Sequence, residues 1–196
     1  MSEAKIRFEM VKRRHKKRFE EAVKKREADE AIIPLCEFIN STKHFFTSSS
    51  CSGRILLLAL KGKRKRDASF HRKWHRKVGF EEVWQGIEDA KNCELWFKTE
   101  PFIIHIGASS LKKAEKILDI KNKAGVKRGG IIVAKPGKFI LELIGTEEIA
   151  LPVKFGDKII VSKSFMKEVV KKANEKIEAN FERLKKFESA IRAELK

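Results

Sequence analysis

A long amphipathic segment at the carboxyl end constrains the fold more than any other feature of the chain. From Ser164 onward, apolar side chains recur at three- and four-residue steps. They are Phe165, Val169, Ala173, Ile177, Phe181, Leu184, Phe187, Ile191 and Leu195. This spacing predicts one long helix with a single apolar stripe. Because such a stripe has to be covered, we expect the helix to lie along a β-sheet formed by earlier residues.

Short apolar runs and turn residues predict the sheet and the flanking helices. Strands are expected at 45–48, at 55–60, from about Ser69, and at 102–106, 131–134, 139–144 and 149–153. Helices are expected at 6–26, at 34–40, at 80–91, and from Ser109 or Ser110 to Gly125. The segment 102–134 has the length and order of a right-handed crossover between parallel strands. The sequence therefore predicts a single α+β domain over residues 1–196, with a mixed β-sheet, flanking helices, a long C-terminal helix and a basic helical segment at 1–28.

The charge balance indicates a polyanionic partner. The chain of 196 residues has 45 Lys and Arg against 27 Asp and Glu, a formal net charge of +18. An enzyme of small neutral metabolites does not need such an excess, and nucleic acid is the simplest partner that explains it. A heat-adapted surface is the alternative, but heat adaptation raises both signs of charge together. We therefore favour nucleic acid over a merely basic, solvated surface.

Cysteine usage and hydropathy bound the cellular setting. Cys36, Cys51 and Cys93 are widely spaced, with no histidine partner at a zinc-like interval. Neither a disulfide framework nor a metal site is predicted. The longest strongly apolar run, 55–60, is too short to span a bilayer, and the amino end is charged throughout. We expect a cytoplasmic protein without a membrane segment or secretion signal.

A serine-rich segment between two predicted strands is the densest candidate for a binding site. Its residues are Ser48, Ser49, Ser50, Cys51, Ser52, Gly53 and Arg54. Backbone amides in such a turn can form an anion-binding concavity, and the Arg54 guanidinium can bind a carboxylate or a phosphate. A plain polar turn explains the same composition equally well.

A second candidate combines cations with aromatic rings. It starts with a run of four cations, Lys63, Arg64, Lys65 and Arg66. Cations can follow RNA phosphates, while an exposed aromatic ring such as Trp74 stacks on an unpaired base. Strand alternation predicts Phe70 and Trp74 on one face, with His71 and His75 on the other. Phe70 and Trp74 are equally well explained as core residues.

His105 ends a predicted strand just before a helix, a position that often holds functional groups. A hydrogen-bonded structural histidine is the alternative at such a place. A further basic patch, for which a solvated face is the alternative, consists of Lys127, Arg128, Lys135 and Lys138. No glycine-rich dinucleotide motif, Walker loop or kinase signature occurs, so a cofactor has to bind by other means.

The segment 45–58, with the sequence FFTSSSCSGRILLL, closely resembles the signature of the tRNA wybutosine-synthesizing protein 3 family. The resemblance continues at Asp29, Asn40, Trp74, His75, Glu100, Pro101, Phe102, His105, Gly125, Gly130 and Ile131. It covers nearly the whole chain, from about Asp29 to the last helix. One departure is the triplet Ile144, Gly145 and Thr146, where many members have Arg-Ser-Thr.

The resemblance implies a methyltransferase of wyosine biosynthesis. Members of the family transfer a methyl group from S-adenosylmethionine to nitrogen four of 7-aminocarboxypropyl-4-demethylwyosine. This tricyclic base is made from the guanosine next to the anticodon of tRNA(Phe), so the anticodon stem-loop is the expected partner. The alternative, which the charge explains equally well, is a non-catalytic tRNA-binding protein that presents substrate to other enzymes.

Methyl transfer requires the alignment of donor, carbon and ring nitrogen, and the removal of a proton from that nitrogen. His75 and His105 are the candidate proton acceptors, because only histidine ordinarily titrates near neutrality. The segment 49–54 is the candidate to hold the carboxylate of the base or of the cofactor, two roles that the sequence does not separate. The residues expected to contact the base or the RNA are Trp74, Trp84, Lys12, Arg13, Arg14, Lys63, Arg64, Lys65 and Arg66.

Overall fold

The computed structural model describes residues 2–62 and 64–195. Within these residues the helices are α1 (Glu3–Lys24), α2 (Ile33–Ser41), α3 (Phe80–Asp89), α4 (Leu111–Lys123) and α5 (Lys163–Glu194). The strands are β1 (Phe45–Cys51), β2 (Arg54–Leu60), β3 (Ala68–Trp74), β4 (Glu94–Glu100), β5 (Ile103–Ala108), β6 (Arg128–Lys135), β7 (Lys138–Ile144), β8 (Ile149–Phe155) and β9 (Lys158–Ile159). Short 3₁₀ helices occupy Glu30–Ile32 and Lys65–Asp67.

The chain divides into two compact units, each assembled from separate segments. Unit 1 contains the residues up to Ser52, Phe102–Thr146 and the residues from Glu182 onward. Unit 2 contains Gly53–Pro101 and Glu147–Phe181. Helix α5 therefore contributes its amino-terminal part to unit 2 and its carboxyl-terminal part to unit 1. The expectation of a single domain stays a prediction.

Unit 1 is built on a four-stranded antiparallel sheet in the order β1-β5-β7-β6. Alternate residues of β5, such as Ile104 and Ile106, are fully buried in a core that includes side chains of α2, α4 and α5. The other face of the sheet is covered in part by α1, whose Phe8 packs with Phe46 and Ile140. Successive side chains of a strand point to opposite faces of the sheet. One face of this sheet therefore packs against the core with α2, α4 and α5, and the other packs against α1.

The predicted crossover agrees with the strand directions, since β5 and β6 both pair antiparallel with β7, which lies between them, and so run parallel to each other. The predicted mixed sheet is wrong, because the neighbouring strands of this sheet are all antiparallel. The reason is the tight turn at 135–137, where Gly137 has φ 72°. This turn folds β7 back beside β6, so β7 occupies the place next to β5. The α+β class, the flanking helices and the long C-terminal helix are confirmed.

Unit 2 holds a five-stranded antiparallel sheet in the order β3-β2-β4-β8-β9. Its middle strand, β4, is not among the predicted strands, although the buried residues Leu95, Phe97 and Thr99 alternate along it with half-buried ones. Helix α3 and the first part of α5 pack on this sheet through a common apolar core. Lys154 is buried at the end of α3, where its Nζ donates hydrogen bonds to the backbone oxygens of Ile87 at 3.0 Å and Ala90 at 2.5 Å. The ammonium group thereby satisfies carbonyls that have no partner within the helix.

The helix ends follow the capping residues that the sequence indicates. Ser110 accepts a hydrogen bond from Lys113 N at 3.3 Å and so caps α4, and Gly125 follows its end at φ 76°. Asp29 accepts a hydrogen bond from Ala31 N at 3.3 Å at the start of the first 3₁₀ helix. Among the residues that the structure describes, no helix combines the length and the apolarity that a membrane crossing requires.

Candidate functional site

A histidine and a carboxylate form a hydrogen-bonded pair on the sheet of unit 1. His105 of β5 and Glu142 of β7 are cross-strand partners, with 3.0 Å between His105 Nε2 and Glu142 Oε2. The other ring nitrogen, Nδ1, lies 2.9 Å from the backbone oxygen of Ser49 in β1. A bulge interrupts the β1–β5 ladder at this serine, which brings its carbonyl to the ring. Three strands therefore fix the orientation of one imidazole.

Both hydrogen-bond partners of His105 are acceptors, which decides where the protons lie. A carbonyl oxygen only accepts, so Nδ1 carries a proton and donates it to the oxygen of Ser49. A neutral ring in this tautomer has a lone pair at Nε2, which cannot bond to an ionised carboxylate. His105 and Glu142 therefore share one further proton, as imidazolium and carboxylate or as neutral ring and carboxylic acid. Such a pair can hold a proton at a defined place, so Glu142 is a further candidate for the acid–base role that the sequence predicts for histidines.

A glycine on the next strand leaves space beside Glu142. Gly130 of β6 is the cross-strand partner of Glu142, and a Cβ at this position would meet no atom within 4 Å. The neighbouring Gly129 is required for a different reason. It has φ 103°, and a Cβ there would lie 2.0 Å from the backbone oxygen of Glu142. A side chain at 129 would displace β7, whereas its absence at 130 leaves room for a ligand group next to the carboxylate.

Glu142 is the functional candidate that the sequence analysis missed. Its neighbours Leu141 and Leu143 are fully buried, so a carboxylate interrupts an apolar strand. Burying a charged group costs free energy unless a partner compensates the charge. A glutamate between two leucines of a predicted strand was therefore the sequence signal for a paired carboxylate. The pairing partner, His105, is distant in sequence and could not be identified from spacing alone.

The triplet 144–146, where the sequence departs from the pattern of the family it resembles, begins at the last residue of β7, two residues after Glu142. Ile144 is the cross-strand partner of Arg128 in β6. Thr146 Oγ1 accepts a hydrogen bond from Arg183 of α5. Arg183 thus brings a guanidinium to the segment where many members of the family have an arginine of their own.

The serine-rich segment connects β1 to β2, which belong to different sheets. Ser52 is buried, and its N–H donates to Asp29 Oδ2 at 2.6 Å, so the protein's own carboxylate occupies an amide that was expected to bind a ligand. The hydroxyl oxygen of Ser50 is buried as well. The Ser52 amide is thus already used within the protein, while anion binding by the rest of the segment stays a prediction. Ser49 is exposed and Cys51 is a half-buried thiol.

Two residues of the family resemblance are structural ties within unit 1. The amide of Asn40 donates to Thr47 Oγ1 at 2.9 Å and accepts from Thr47 N at 2.8 Å, which fastens α2 to β1. Asp29 binds the backbone on both sides, at Ala31 and at Ser52. Gly53 is buried with φ 102°, a conformation that few other residues adopt. These positions hold the backbone of the segment in place, and the binding role of Gly53 stays a prediction.

In unit 2, Arg54 belongs to a cluster of charges on the β2–β4 ladder. Arg54 and Glu100 are cross-strand partners, and Arg54 Nε and Nη2 lie 2.8 and 2.7 Å from Glu100 Oε2. Lys98 Nζ lies 3.0 Å from Glu100 Oε1. The guanidinium carbon of Arg54 also lies 4.5 Å from the ring centroid of Phe70. The cluster holds its cations in place by ion pairing and by an aromatic face.

The charge of this cluster allows it to bind a further anion. Burial alone raises the pKa of Glu100, but hydrogen bonds from Lys98 and Arg54 outweigh it and hold the pKa below its ordinary value. One carboxylate thus faces two cations, which leaves one positive charge in excess. Arg54 has five N–H donors, more than its contacts with Glu100 use. A guanidinium beside a carboxylate also complements an α-amino acid, because the guanidinium can bind its carboxylate and the carboxylate can bind its ammonium group.

A bulge changes the predicted facing of the aromatic residues on β3. The register shifts between Leu57 and Leu58, whose partners are Arg72 and Phe70. Phe70 and Trp74 therefore lie on opposite faces, and the predicted common face is wrong. Phe70 is 51% exposed, while Trp74 packs against the apolar core of unit 2. Of these two rings, Phe70 is the one available to stack on a base.

His75 directly follows Trp74, whose ladder partner Ile55 comes directly after Arg54. His75 therefore lies at the same end of the β2–β3 ladder as the Arg54 cluster. Trp84 lies elsewhere, on α3, where it is 7% exposed, packs in the core and donates from Nε1 to Glu88 at 2.6 Å. Its predicted role in stacking on the base is wrong, because the ring is part of the core.

The predicted RNA-binding cations differ in their exposure and in their existing hydrogen bonds and ion pairs. Arg13 and Arg14 are exposed on α1, whereas Lys12 is half-buried, donates to the backbone oxygen of Thr42 and has a pKa lowered by burial. Of the run 63–66, Lys63 and the side chain of Lys65 lie outside the described residues. Arg64 and Arg66 are exposed, and Arg64 Nε pairs with Asp67 at 3.2 Å.

Comparisons with known proteins find relatives along nearly the whole chain. The model of a family described as methyltransferase TYW3 matches residues 7–193. A Pyrococcus horikoshii protein, named tRNA(Phe) 7-((3-amino-3-carboxypropyl)-4-demethylwyosine(37)-N(4))-methyltransferase 1, is 35% identical over 187 residues, which are 95% of each chain. A Danio rerio protein named tRNA wybutosine-synthesizing protein 3 homolog is 32% identical over 176 residues, 88% of this chain and 70% of that protein. A solved structure of the PH1069 protein from Pyrococcus horikoshii has a TM-score of 0.89 at 34% identity, covering 95% of this chain and 97% of the other.

Proposed function

The chain belongs to the TYW3 methyltransferase family, and we propose that it methylates nitrogen four of 7-aminocarboxypropyl-4-demethylwyosine in tRNA(Phe). The observation that carries the proposal is the family match over residues 7–193, which includes both candidate clusters. The names of the relatives describe methyl transfer and wybutosine synthesis, which supports an enzyme over the non-catalytic tRNA-binding alternative. We propose that the enzyme works in the cytoplasm and that the anticodon stem-loop is the part of the tRNA it binds.

S-adenosylmethionine is the proposed methyl donor, and when bound it supplies an electrophilic methyl carbon on a sulfonium sulfur. The donor ends in an α-amino acid, and so does the side chain of the proposed base. Arg54 offers a guanidinium to a carboxylate, while Glu100 beside it offers a carboxylate to an ammonium group. Lys98 adds a second cation. These residues fit the amino-acid end of the donor or of the base.

The His105–Glu142 pair is the proposed proton acceptor. Attack by nitrogen four forms the new N–C bond while the C–S bond breaks with its electron pair on sulfur, so that the nitrogen has to lose its proton. In the imidazolium–carboxylate form, Glu142 keeps a second oxygen that can take this proton. Gly130 leaves the approach to the carboxylate open. His75, beside the Arg54 cluster, is the second candidate acceptor.

Contacts with the RNA are proposed for exposed groups. Phe70 presents its ring to solvent beside the Arg54 guanidinium, a combination that stacks on unpaired bases. The exposed cations of α1, Arg13 and Arg14, and those of the loop, Arg64 and Arg66, are suited to phosphates. Each of these contacts is independent of base sequence, so the modified base itself has to provide the specificity.

A methyl-transfer assay tests the proposal. The protein is incubated with labelled S-adenosylmethionine and with tRNA from cells that lack this methylation step, and the digested nucleosides are examined by mass spectrometry. We expect one methyl group on the wyosine base in this tRNA and none in tRNA that already carries the methyl group. Absence of transfer, together with tight tRNA binding and no binding of S-adenosylhomocysteine by calorimetry, would establish the non-catalytic alternative instead.

A further inference from the structure

A row of lysines on α5 in unit 2 has no role in the chemistry described so far. Lys163, Lys167 and Lys171 follow one another at four-residue steps and are all exposed. Four residues of α-helix rise about 6 Å, and residues spaced in this way lie on one side of the helix. The three ammonium groups thus form a regular stripe of positive charge, which we call the lysine stripe.

Aromatic rings of α3 support two members of the stripe. Lys163 Nζ lies 5.3 Å from the ring centroid of Trp84, and Lys167 Nζ lies 5.2 Å from that of Phe80. The two rings stack on each other with centroids 5.8 Å apart and an interplanar angle of 28°. A cation over an aromatic face is held in position while its charge stays available to an anion. This explains why Trp84 matters to the surface although its ring is buried.

Two nearby acidic side chains form ion pairs with lysines outside the stripe. Glu175 pairs with Lys172 at 2.7 Å, and Glu178 pairs with Lys77 at 2.8 Å. Within the described part of the chain, no such ion pair involves a member of the lysine stripe. The three ammonium groups therefore stay available to an outside anion, although Glu175 also attracts Lys171, and the protein's net charge of +18 adds to their potential.

The stripe borders a groove of about 440 Å³ whose lining includes Phe80, Asn174 and the cations Lys77, Lys167 and Lys171. The lining also includes Glu175 and Glu178, which pair with Lys172 and Lys77. Asn174 makes the wall rigid, because its amide accepts from Val78 N at 2.9 Å and donates to Val78 O at 2.8 Å. A fixed groove edged with evenly spaced cations suits an extended polyanion better than a single small anion.

We propose that the lysine stripe binds consecutive backbone phosphates of RNA, so that α5 positions the tRNA on unit 2. The inference rests on the proposed function for the identity of the RNA. It adds a binding surface that neither the sequence analysis nor the acid–base cluster contains. The contact is with phosphates alone, so it contributes affinity and orientation without base specificity.

The salt dependence of tRNA binding tests the stripe. One variant combines Lys163→Gln, Lys167→Gln and Lys171→Gln. The matched control combines Lys112→Gln, Lys185→Gln and Lys186→Gln, three exposed lysines of unit 1 with the same loss of charge. Filter binding between about 50 and 200 mM salt gives the slope of log affinity against log salt. Each lost phosphate contact reduces this slope by about 0.7 to 0.9, so the stripe variant should lose about 2 to 3 and the control much less.

Further readouts separate this inference from the proposed function. The stripe variant should raise KM for tRNA while keeping kcat, and replacing the same three lysines by Arg should keep the wild-type slope. Circular dichroism melting checks that both variants are folded. Equal slopes for the stripe variant and its control would overturn the inference, even if the enzyme methylates tRNA. Absence of methyl transfer by the wild type would overturn the proposed function, while the slopes would still report on the stripe.

Discussion

Replacing Glu142 by Gln removes one charge from the His105–Glu142 pair with little change of shape. The Gln amide can still reach His105 Nε2, and as a donor it suits the neutral ring. The imidazolium loses its counter-ion, and the second carboxylate oxygen is no longer able to accept a proton. The substitution therefore tests chemistry rather than folding, and we expect kcat to fall while KM for tRNA stays nearly constant.

The size of the decrease shows which role Glu142 has. A hydrogen bond to a charged group is worth about 1.5–3 kcal/mol, or about 10- to 150-fold in rate. The side chains of His105 and Glu142 are 18% and 30% exposed, so water screens the interaction and the lower half of that range applies. Loss of a true proton acceptor costs about 10²- to 10⁴-fold. A decrease of about tenfold thus indicates that Glu142 only orients His105, and a decrease above 10²-fold indicates that it takes the proton.

Single-turnover methyl transfer from labelled S-adenosylmethionine measures this rate. Glu115→Gln, at an exposed position of α4, is the matched control and should leave kcat unchanged. The melting temperature of Glu142→Gln should stay within about 2–4 °C of the wild type, which corresponds to about 1 kcal/mol for a chain of this size. A kcat within twofold of the wild type in a folded Glu142→Gln protein would refute the acid–base assignment of the pair.

Three further predictions follow from the structure. Gly129→Ala should destabilise the protein by about 1–3 kcal/mol in urea unfolding, because φ is 103° and the Cβ would clash with the backbone of β7. Gly130→Ala should fold normally, since a Cβ there meets no atom within 4 Å. Equal stability of the two variants would contradict this description of β6. Trp84→Ala should lower the free energy of unfolding by about 3–5 kcal/mol, because it truncates a core side chain. Phe70→Ala should change the free energy of unfolding by less than about 1 kcal/mol and raise KM for tRNA. A stable Trp84→Ala protein with a raised KM, together with an unstable Phe70→Ala protein, would make Trp84 the stacking residue instead. Burial and then nearby cations lower the pKa of His15, so the folded state binds its proton more weakly than the unfolded state. The free energy of unfolding should therefore fall as the pH drops below about 6.5 towards the lowered pKa. His15→Phe should lose this part of the pH dependence in urea unfolding at several pH values, and a pH profile identical to that of the wild type would exclude His15 as its source.

Local residues explain why some elements were predictable and others were not. Ser110 and Gly125 mark the ends of α4, and the turn before Gly137 marks a hairpin, since capping and turn geometry depend on a few neighbouring residues. β4 was missed because its alternation is short and lies next to the motif that begins at Glu100. The bulges in β1 and β3 leave no clear sign in the sequence, because they depend on how a strand pairs with its neighbour. One such bulge was enough to separate Phe70 from Trp74.

The helices, the α+β class, the excess of positive charge and the family could be predicted before any coordinates, since periodicity, composition and a contiguous motif are properties of the linear chain. The contacts between side chains became known only from the folded structure. It paired His105 with a glutamate 37 positions away, gave the N–H of Ser52 to Asp29 and enclosed Trp84 in a core. Hydrogen bonds and ion pairs act over a few ångströms, and the distance between two residues in space depends on the strand register and the packing of the whole unit. For this reason the motif indicated the chemistry, whereas the atoms to which we assign it could be named only from the fold.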